Sequence, residues 1–216
     1  GQLKLSAYNS LTDAIKERAD AVLAYQDFDK ANPDIKRSNI EREEILGILL
    51  RLVSPSPDDD IKHDVRINRK LSEFTGKEII LLRDLSKARL VSIEVETGTE
   101  IVSLIHETLI QNWDVLRKRI GEKRLQLQKR VRFETQHQMW ISSNRSEDYL
   151  LSKGQVAEAQ ELEQLGEVLS KTAQDFLRIS TKKLAIEQKR GRMLSAFLDT
   201  FSAVSSTMNI ESSGGF

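Results

Sequence analysis

The chain has 216 residues, enough for one domain or two small ones with a true hydrophobic core. It holds no cysteine, which excludes a disulfide framework, a thiolate nucleophile and any cysteine-based metal site. Its 33 basic and 33 acidic side chains cancel, so no overall charge drives it toward nucleic acid or an anionic membrane.

With only 10 Gly and 3 Pro, long stretches run unbroken, and Leu, Glu, Lys, Gln and Arg fill them. These residues lose little rotamer freedom in a helix. No apolar h-region follows Gly1-Gln2-Leu3-Lys4, so no secretory signal is expected there. No apolar run approaches the roughly 18 to 20 residues that span a bilayer, and a cytoplasmic protein is expected. Leu11, Ile15, Ala19, Val22 and Leu23 recur at helical spacing, with Ser10 or Thr12 as the cap. Asn32-Pro33-Asp34 reads as a loop. Ser38 and Glu41 fit a capping box for a second helix through Ile45, Ile48, Leu49 and Leu52. That helix stops before Ser54-Pro55-Ser56-Pro57, and Asp58-Asp59-Asp60 follows as a solvated loop.

A short helix is predicted over 69–74, closed by Gly76, and a longer one over 78–88 with Ile79, Leu82 and Leu85 on one face. The period then changes. Leu90, Ser92, Glu94 and Glu96 alternate with Val91, Ile93 and Val95, the pattern of a half-buried strand. Glu96-Thr97-Gly98-Thr99 makes a turn and 101–105 the return strand. Helices followed by one hairpin is the order of a winged helix. Beyond it, a helix over 106–119 carries Leu109, Trp113 and Leu116, and Gly121 marks a break before a long helix over 122–141. After Ser142-Ser143-Asn144 come a short Tyr149-Leu150-Leu151 element and helices over 155–165 and 168–188. A final helix over 193–208 puts Leu194, Phe197, Leu198, Phe201 and Val204 on one stripe, before Ser212-Ser213-Gly214-Gly215. The expected fold is mainly α, a winged-helix domain with one β-hairpin plus a flanking helical bundle. Its parts are a helical segment (1–36), the winged helix (37–117), a helical extension (118–190) and an amphipathic C-terminal helix and tail (191–216).

The motifs that carry catalysis are missing. No G-x-x-x-x-G-K-[ST] loop occurs, since Gly76-Lys77 lacks both the preceding glycine and the following hydroxyl residue. Neither G-x-G-x-x-G nor G-x-S-x-G is present. His106-Glu107-Thr108-Leu109-Ile110 begins like a zincin motif but has Ile where the second ligand must sit, and one imidazole cannot hold zinc. His63 and His137 lie in other elements, without metal spacing. Asn144-Arg145-Ser146 has the form of a glycosylation site, a coincidence in a chain with no secretion signal. Carboxylates interleave with basic residues on helical faces, as solvated surface does. We therefore expect no catalytic residue, no metal and no enzyme activity in this chain itself.

One stretch is more specific. Ile101-Val102-Ser103-Leu104-Ile105-His106-Glu107-Thr108-Leu109-Ile110-Gln111-Asn112-Trp113 resembles the end of the winged-helix domain in the novel STAND NTPases. These are bacterial signal-transduction ATPases related to the NLR and apoptosome-type proteins. Leu85-Ser86-Lys87-Ala88-Arg89-Leu90-Val91 looks like the family's helix-to-strand junction. Trp140, Asp148-Tyr149-Leu150-Leu151 and Gln155-Val156-Ala157-Glu158-Ala159 look like its helical extension, and Phe176-Leu177-Arg178-Ile179-Ser180 like its final helix. The resemblance runs over 40–184 and rests on the order and spacing of these pieces. It implies a regulatory, non-catalytic region that packs on an NTPase domain of the same parent protein. ADP or ATP is then expected only with that adjoining domain. In the family, a histidine of a Met-His-Asp motif at the last strand–helix junction contacts the β-phosphate of ADP. Ile105-His106-Glu107 occupies that place, which makes His106 the expected nucleotide sensor and Glu107 the residue that orients its ring. An imidazole N–H at a helix N-terminus can donate to a phosphate oxygen, and exchange of ADP for ATP would bias a closed–open equilibrium. The alternative for His106 is a helix cap or a side chain at the edge of the core.

Two other functions compete. The first is a winged-helix nucleic-acid binder, carried by Arg117, Lys118, Arg119, Lys123, Arg124, Lys129, Arg130 and Arg132. These lie beyond the winged helix, however, while the helix over 78–88 offers Glu78 and Asp84 beside Arg83 and Lys87. A docking role is the other use of the basic stripe, against the acidic Glu147, Asp148, Glu158, Glu161, Glu163 and Glu167. The second competitor is an interaction scaffold that binds a protein partner or self-associates through the C-terminal helices. A membrane role is disfavoured, because the polar face of that last helix holds Ser, Thr and Asp in place of Lys and Arg.

Overall fold

A computed structural model describes residues 2–27, 35–58, 60–165 and 169–211, with side chains placed over 11–200 within those ranges. The loop at Asn32-Pro33-Asp34, residue Asp59, Glu167, the side chains of Phe201 and Val204 and the final Ser-Gly run lie outside the described residues. Among the described residues helix dominates, with two small antiparallel sheets. The chain divides into two compact units, Gly1–Val131 and Arg132–Phe216.

In the first unit, α1 (Gln2–Ala24) turns Ala19, Val22 and Leu23 inward, while Leu11 faces solvent. Its start lies well upstream of Ser10 and Thr12, so neither caps it, and Thr12 is buried within the helix. At the other end the Arg37 Nε donates to the Val22 carbonyl at 2.8 Å, satisfying an acceptor the helix leaves open. α2 (Asn39–Leu50) begins as predicted: the Glu41 N–H donates to Ser38 Oγ at 3.2 Å and the Ser38 N–H to Glu41 Oε2 at 2.8 Å. Accepting the Ser38 backbone N–H and hydroxyl holds the Glu41 carboxyl below its ordinary range. Ile45, Ile48, Leu49, Leu52 and Val53 are buried against the rest of the unit.

The next stretch holds more strand than its sequence showed. β1 (Val53–Ser54) pairs with β2 (Val65–Arg66), and both are too short to display a period. The helix predicted over 69–74 is instead β3 (Arg69–Lys70) and a single 3-10 turn over Leu71–Glu73. Gly76 does not close it. It opens α3 (Gly76–Lys87), because Thr75 caps that helix and forms a second reciprocal box with Glu78. β4 (Val91–Glu96) and β5 (Thr99–Leu104) form the expected hairpin, and β3 adds to β5, giving the order β3-β5-β4. Val91 pairs with Leu104 and Ile93 with Val102, so the apolar partners share the core side of the sheet. The two-residue turn has φ 47° at Thr97 and 80° at Gly98, the left-handed pair that a tight hairpin requires.

The break expected at Gly121 lies at Trp113. α4 (Thr108–Asn112) ends there in an extended residue, and α5 (Asp114–Ser142) runs unbroken through Gly121. Trp113 is fully buried and its indole N–H donates to Asp20 Oδ1 at 2.7 Å, which fixes the corner. A helical glycine costs only about 1 kcal/mol relative to Ala. Burial of Leu116, Ile120 and Leu127 around Gly121 outweighs that.

The second unit contains the end of α5, α6 (Lys153–Gln164) and α7 (Lys171–Glu211). Asn144 and Arg145 both adopt left-handed backbone, and the Arg145 N–H returns to the Trp140 carbonyl at 2.8 Å to close α5. A 3-10 turn at Glu147–Tyr149 stands near the expected short element. Phe133, Trp140, Leu151, Leu162 and Phe176 form the core. The two helices predicted over 168–188 and 193–208 are one, since Gly191 does not interrupt α7. Among the described residues no helix is long and apolar enough to cross a membrane.

Candidate functional site

The β5–α4 junction is built by the last strand bond. The Ile105 N–H donates to the Leu90 carbonyl at 3.0 Å, and the chain then leaves the sheet. The His106 carbonyl accepts from the Leu109 N–H at 3.2 Å and that of Glu107 from Ile110 at 2.9 Å, which starts α4. Both side chains are exposed, and the Glu107 carboxylate makes no cap. His106 is thus neither a side-chain cap nor a core residue. Among the described residues its ring has no hydrogen-bonded partner, and the structure does not join it to Glu107.

His106 is one of the residues that line a cavity of about 450 Å³, within the usual range for small-molecule sites. Leu11, Ala14 and Ile15 of α1 form one wall, and Leu90 and Ile105 form another. The remaining lining is basic: Arg18, Arg89 and His106, with no carboxylate among them. Arg18 is half-buried, and its Nε donates to the Ala88 carbonyl at 2.6 Å, at the C-terminal end of α3. Arg89 follows in left-handed backbone, φ 58°. Its N–H bonds the Ser86 carbonyl at 2.9 Å and that of Leu90 the Leu85 carbonyl at 3.0 Å, so this residue closes α3 where glycine is usual. Sequence reasoning marked the Leu85 to Val91 junction without seeing that it and α1 meet at His106. A non-glycine residue at the helix-to-strand step was the available signal.

The eight basic positions on and beside α5 are not gathered on one open face. Arg124 grips Asp64 with two bonds, at 3.0 and 2.6 Å, and the Asp64 side chain is wholly buried. Asp64 also accepts from the Ser56 N–H at 2.7 Å, while Gln128 donates to the Ser56 carbonyl at 2.8 Å. Arg130 is buried and donates to the Leu50 carbonyl at 2.9 Å. Arg117 pairs with Asp114 at 2.7 Å, and Arg119 with Glu43 and, at 3.4 Å, with Glu122. Arg132 reaches Glu158 at 3.0 Å. Lys118 borders a hollow of about 380 Å³ that also holds Arg42, Glu43 and Glu122, so its charge is mixed. Lys123 is exposed and Lys129 half-buried. Of the acidic run, Glu158 takes Arg132, whereas Arg117, Arg119 and Arg124 pair inside the first unit.

A third cluster collects Ser, Asp and His without the geometry of a nucleophile. Ser56 Oγ donates to Asp58, and Asp58 Oδ2 lies 2.7 Å from His63 Nδ1. The Ser56 and His63 bonds pull the Asp58 pKa down to about 2, and Asp58 raises that of His63. Hydroxyl and imidazole both address the carboxylate and not each other, so no base activates the serine. Among the described residues no group of three His, Asp or Glu side chains could hold a metal ion.

No curated protein and no solved structure matches the chain. A family model does, and its span differs from the resemblance read over 40–184. It begins at residue 1, taking in α1, and stops at 148 before α6. That span contains the hairpin, the His106 junction and the wall that α1 adds beside it. Matched over residues 1–148 by the model of Novel STAND NTPase 1, the chain belongs to the novel STAND NTPase family.

Proposed function

We propose that this chain is a non-catalytic regulatory region of a STAND-type signal-transduction ATPase, which senses the adenine nucleotide held by an adjoining NTPase domain. The observation that carries the reading is His106. It stands at the strand-to-helix step, exposed and without a partner among the described residues, and lines a mainly apolar cavity together with Arg18 and Arg89. The sheet order β3-β5-β4, with α3 between β3 and β4, supports a winged helix over 37–117. In this account the imidazole N–H donates to a phosphate of bound ADP, and the NTPase domain is the intramolecular partner. Exchange to ATP alters that contact and shifts the closed–open balance by the difference in affinity of the two states. The chain contributes no catalytic group, the nucleotide comes with the adjoining domain, and the setting is cytoplasmic. The test is the nucleotide content of the protein that joins this chain to its NTPase domain. His106→Ala lowers retained ADP and raises basal signalling; unchanged ADP content removes the sensor role.

A second reading is favoured by α7. Met193, Leu194, Phe197 and Leu198 are each more than half exposed on one helix. Self-association of two copies through that stripe would cover it. Nucleic-acid binding has less support, because Arg124 and Arg130 are spent on Asp64 and on the Leu50 carbonyl.

A further inference from the structure

We propose that α7 seats on an anionic lipid surface, its apolar stripe entering the bilayer interface while Lys189, Arg190 and Arg192 meet the head groups. The inference is independent of the nucleotide-sensing reading of His106. It starts from the continuity of α7. The sequence alone places these three cations between two helices, apart from the stripe. In the structure they stand on one helix with it. Every position from 185 to 200 is exposed, around the whole circumference of that helix. Met193, Leu194, Phe197 and Leu198 share one side, because 193 and 197, like 194 and 198, are four residues apart. Each is more than half exposed. Lys189 and Arg190 lie one turn earlier on that side, four residues before Met193 and Leu194, and Arg192 falls within the same turn. Among the described residues none of the three cations has a carboxylate partner. Ser195, Ala196 and Asp199 fill the opposite side, which is small and lets the helix lie flat.

Arg190 decides between the occupants of the stripe. Two copies packed in parallel would set Arg190 against Arg190, and packed head to tail about the middle of the stripe would set it against an apolar residue. A lipid surface leaves the guanidinium among phosphates while its methylenes cover the apolar boundary. Over 182–200 five cations stand against Glu187 and Asp199, the balance that an anionic leaflet attracts. The helix is not apolar enough to cross a bilayer, so it lies along the interface.

The experiment is co-flotation of the full chain with vesicles of phosphatidylcholine, with and without phosphatidylserine, alongside light scattering of the chain without lipid. Saturable binding to the phosphatidylserine vesicles is expected, weaker binding to phosphatidylcholine alone, and release by salt. Lys189, Arg190 and Arg192 changed together to Gln should weaken binding on the order of a hundredfold, about fivefold per charge. Leu194→Ser with Phe197→Ser should weaken it by about tenfold or more. Leu125→Ser, at an equally exposed apolar position on α5, should leave it unchanged. All these positions are exposed, and circular dichroism checks the helix of each variant. Full binding by the Leu194 and Phe197 variant, or equal binding to neutral vesicles, overturns the proposal. So does a chain that floats with neither vesicle, and a dimeric mass in that case gives the stripe to a second copy.

Discussion

Individual side chains divide sharply here into those held by the fold and those left over. Asp64 and Arg124 belong to the first kind: a buried carboxylate takes two guanidinium bonds and a backbone N–H. Removing one partner of such a pair leaves a charge without compensation in the interior. Asp64→Ala should therefore cost about 3 to 5 kcal/mol in urea unfolding, and a loss under about 1 kcal/mol would place the pair in effective contact with water. His137 makes a pH prediction. It lies among Phe133, Trp140 and Phe176, and desolvation there pushes its pKa below the ordinary 6.5, although a bond with the Thr172 backbone opposes it. The folded form thus binds the proton less readily than the unfolded chain, so stability is unaffected above 6.5 and falls as the pH drops below it. Melting compared between about pH 7.5 and 5.5 should show that fall, and His137→Phe should reduce it. His63 has the opposite sign: its pKa is raised by Asp58, so its contribution is present below 6.5 and is lost as the pH climbs through the folded value. That pair is exposed and weak, and subtraction of the variant curves isolates His137.

At the level of elements, the two reciprocal caps at Ser38–Glu41 and Thr75–Glu78 fix where α2 and α3 begin. Ser38→Ala and Thr75→Ala should each cost about 1 kcal/mol in chemical unfolding, and no change from either would mean that packing alone sets those ends. What was legible in the sequence follows the length of the signal. The Ser38 box, the β4–β5 alternation and the Thr97-Gly98 turn all came through, because each has a local chemical cause. β1, β2 and β3 did not, since two residues carry no period and their pairing is decided by residues far along the chain. Glycine misled at two positions. Gly76 and Gly121 each looked like a helix limit, yet the first opens α3 and the second lies inside α5, where caps and flanks decide the span. The corner at Trp113 was invisible for the opposite reason: its cause is a bond to Asp20, more than 90 positions away. At the candidate site, His106 was readable from its motif. Arg18 and Arg89 became visible only once α1 and the α3–β4 step were seen to line one cavity.

For the molecule as a whole, zero net charge concealed local pairing more than segregated halves. Most of the arginines beside α5 are matched inside the first unit, and Arg132 with Glu158 inside the second. Each unit has its own core, and Met193, Leu194, Phe197 and Leu198 of the α7 stripe are exposed. If that stripe joins two copies, the full chain should scatter light as a dimer, and a chain ending at Gly191 as a monomer; identical masses would leave the stripe without an assembly role. The central claim concerns His106 and a phosphate. It is met most directly by the His106 ring resonances, followed by NMR as ADP is added to the protein carrying both this chain and its NTPase domain. The account predicts a saturable shift of the ring signals with the same midpoint as ADP binding. A ring that stays unmoved while ADP saturates the protein would contradict it.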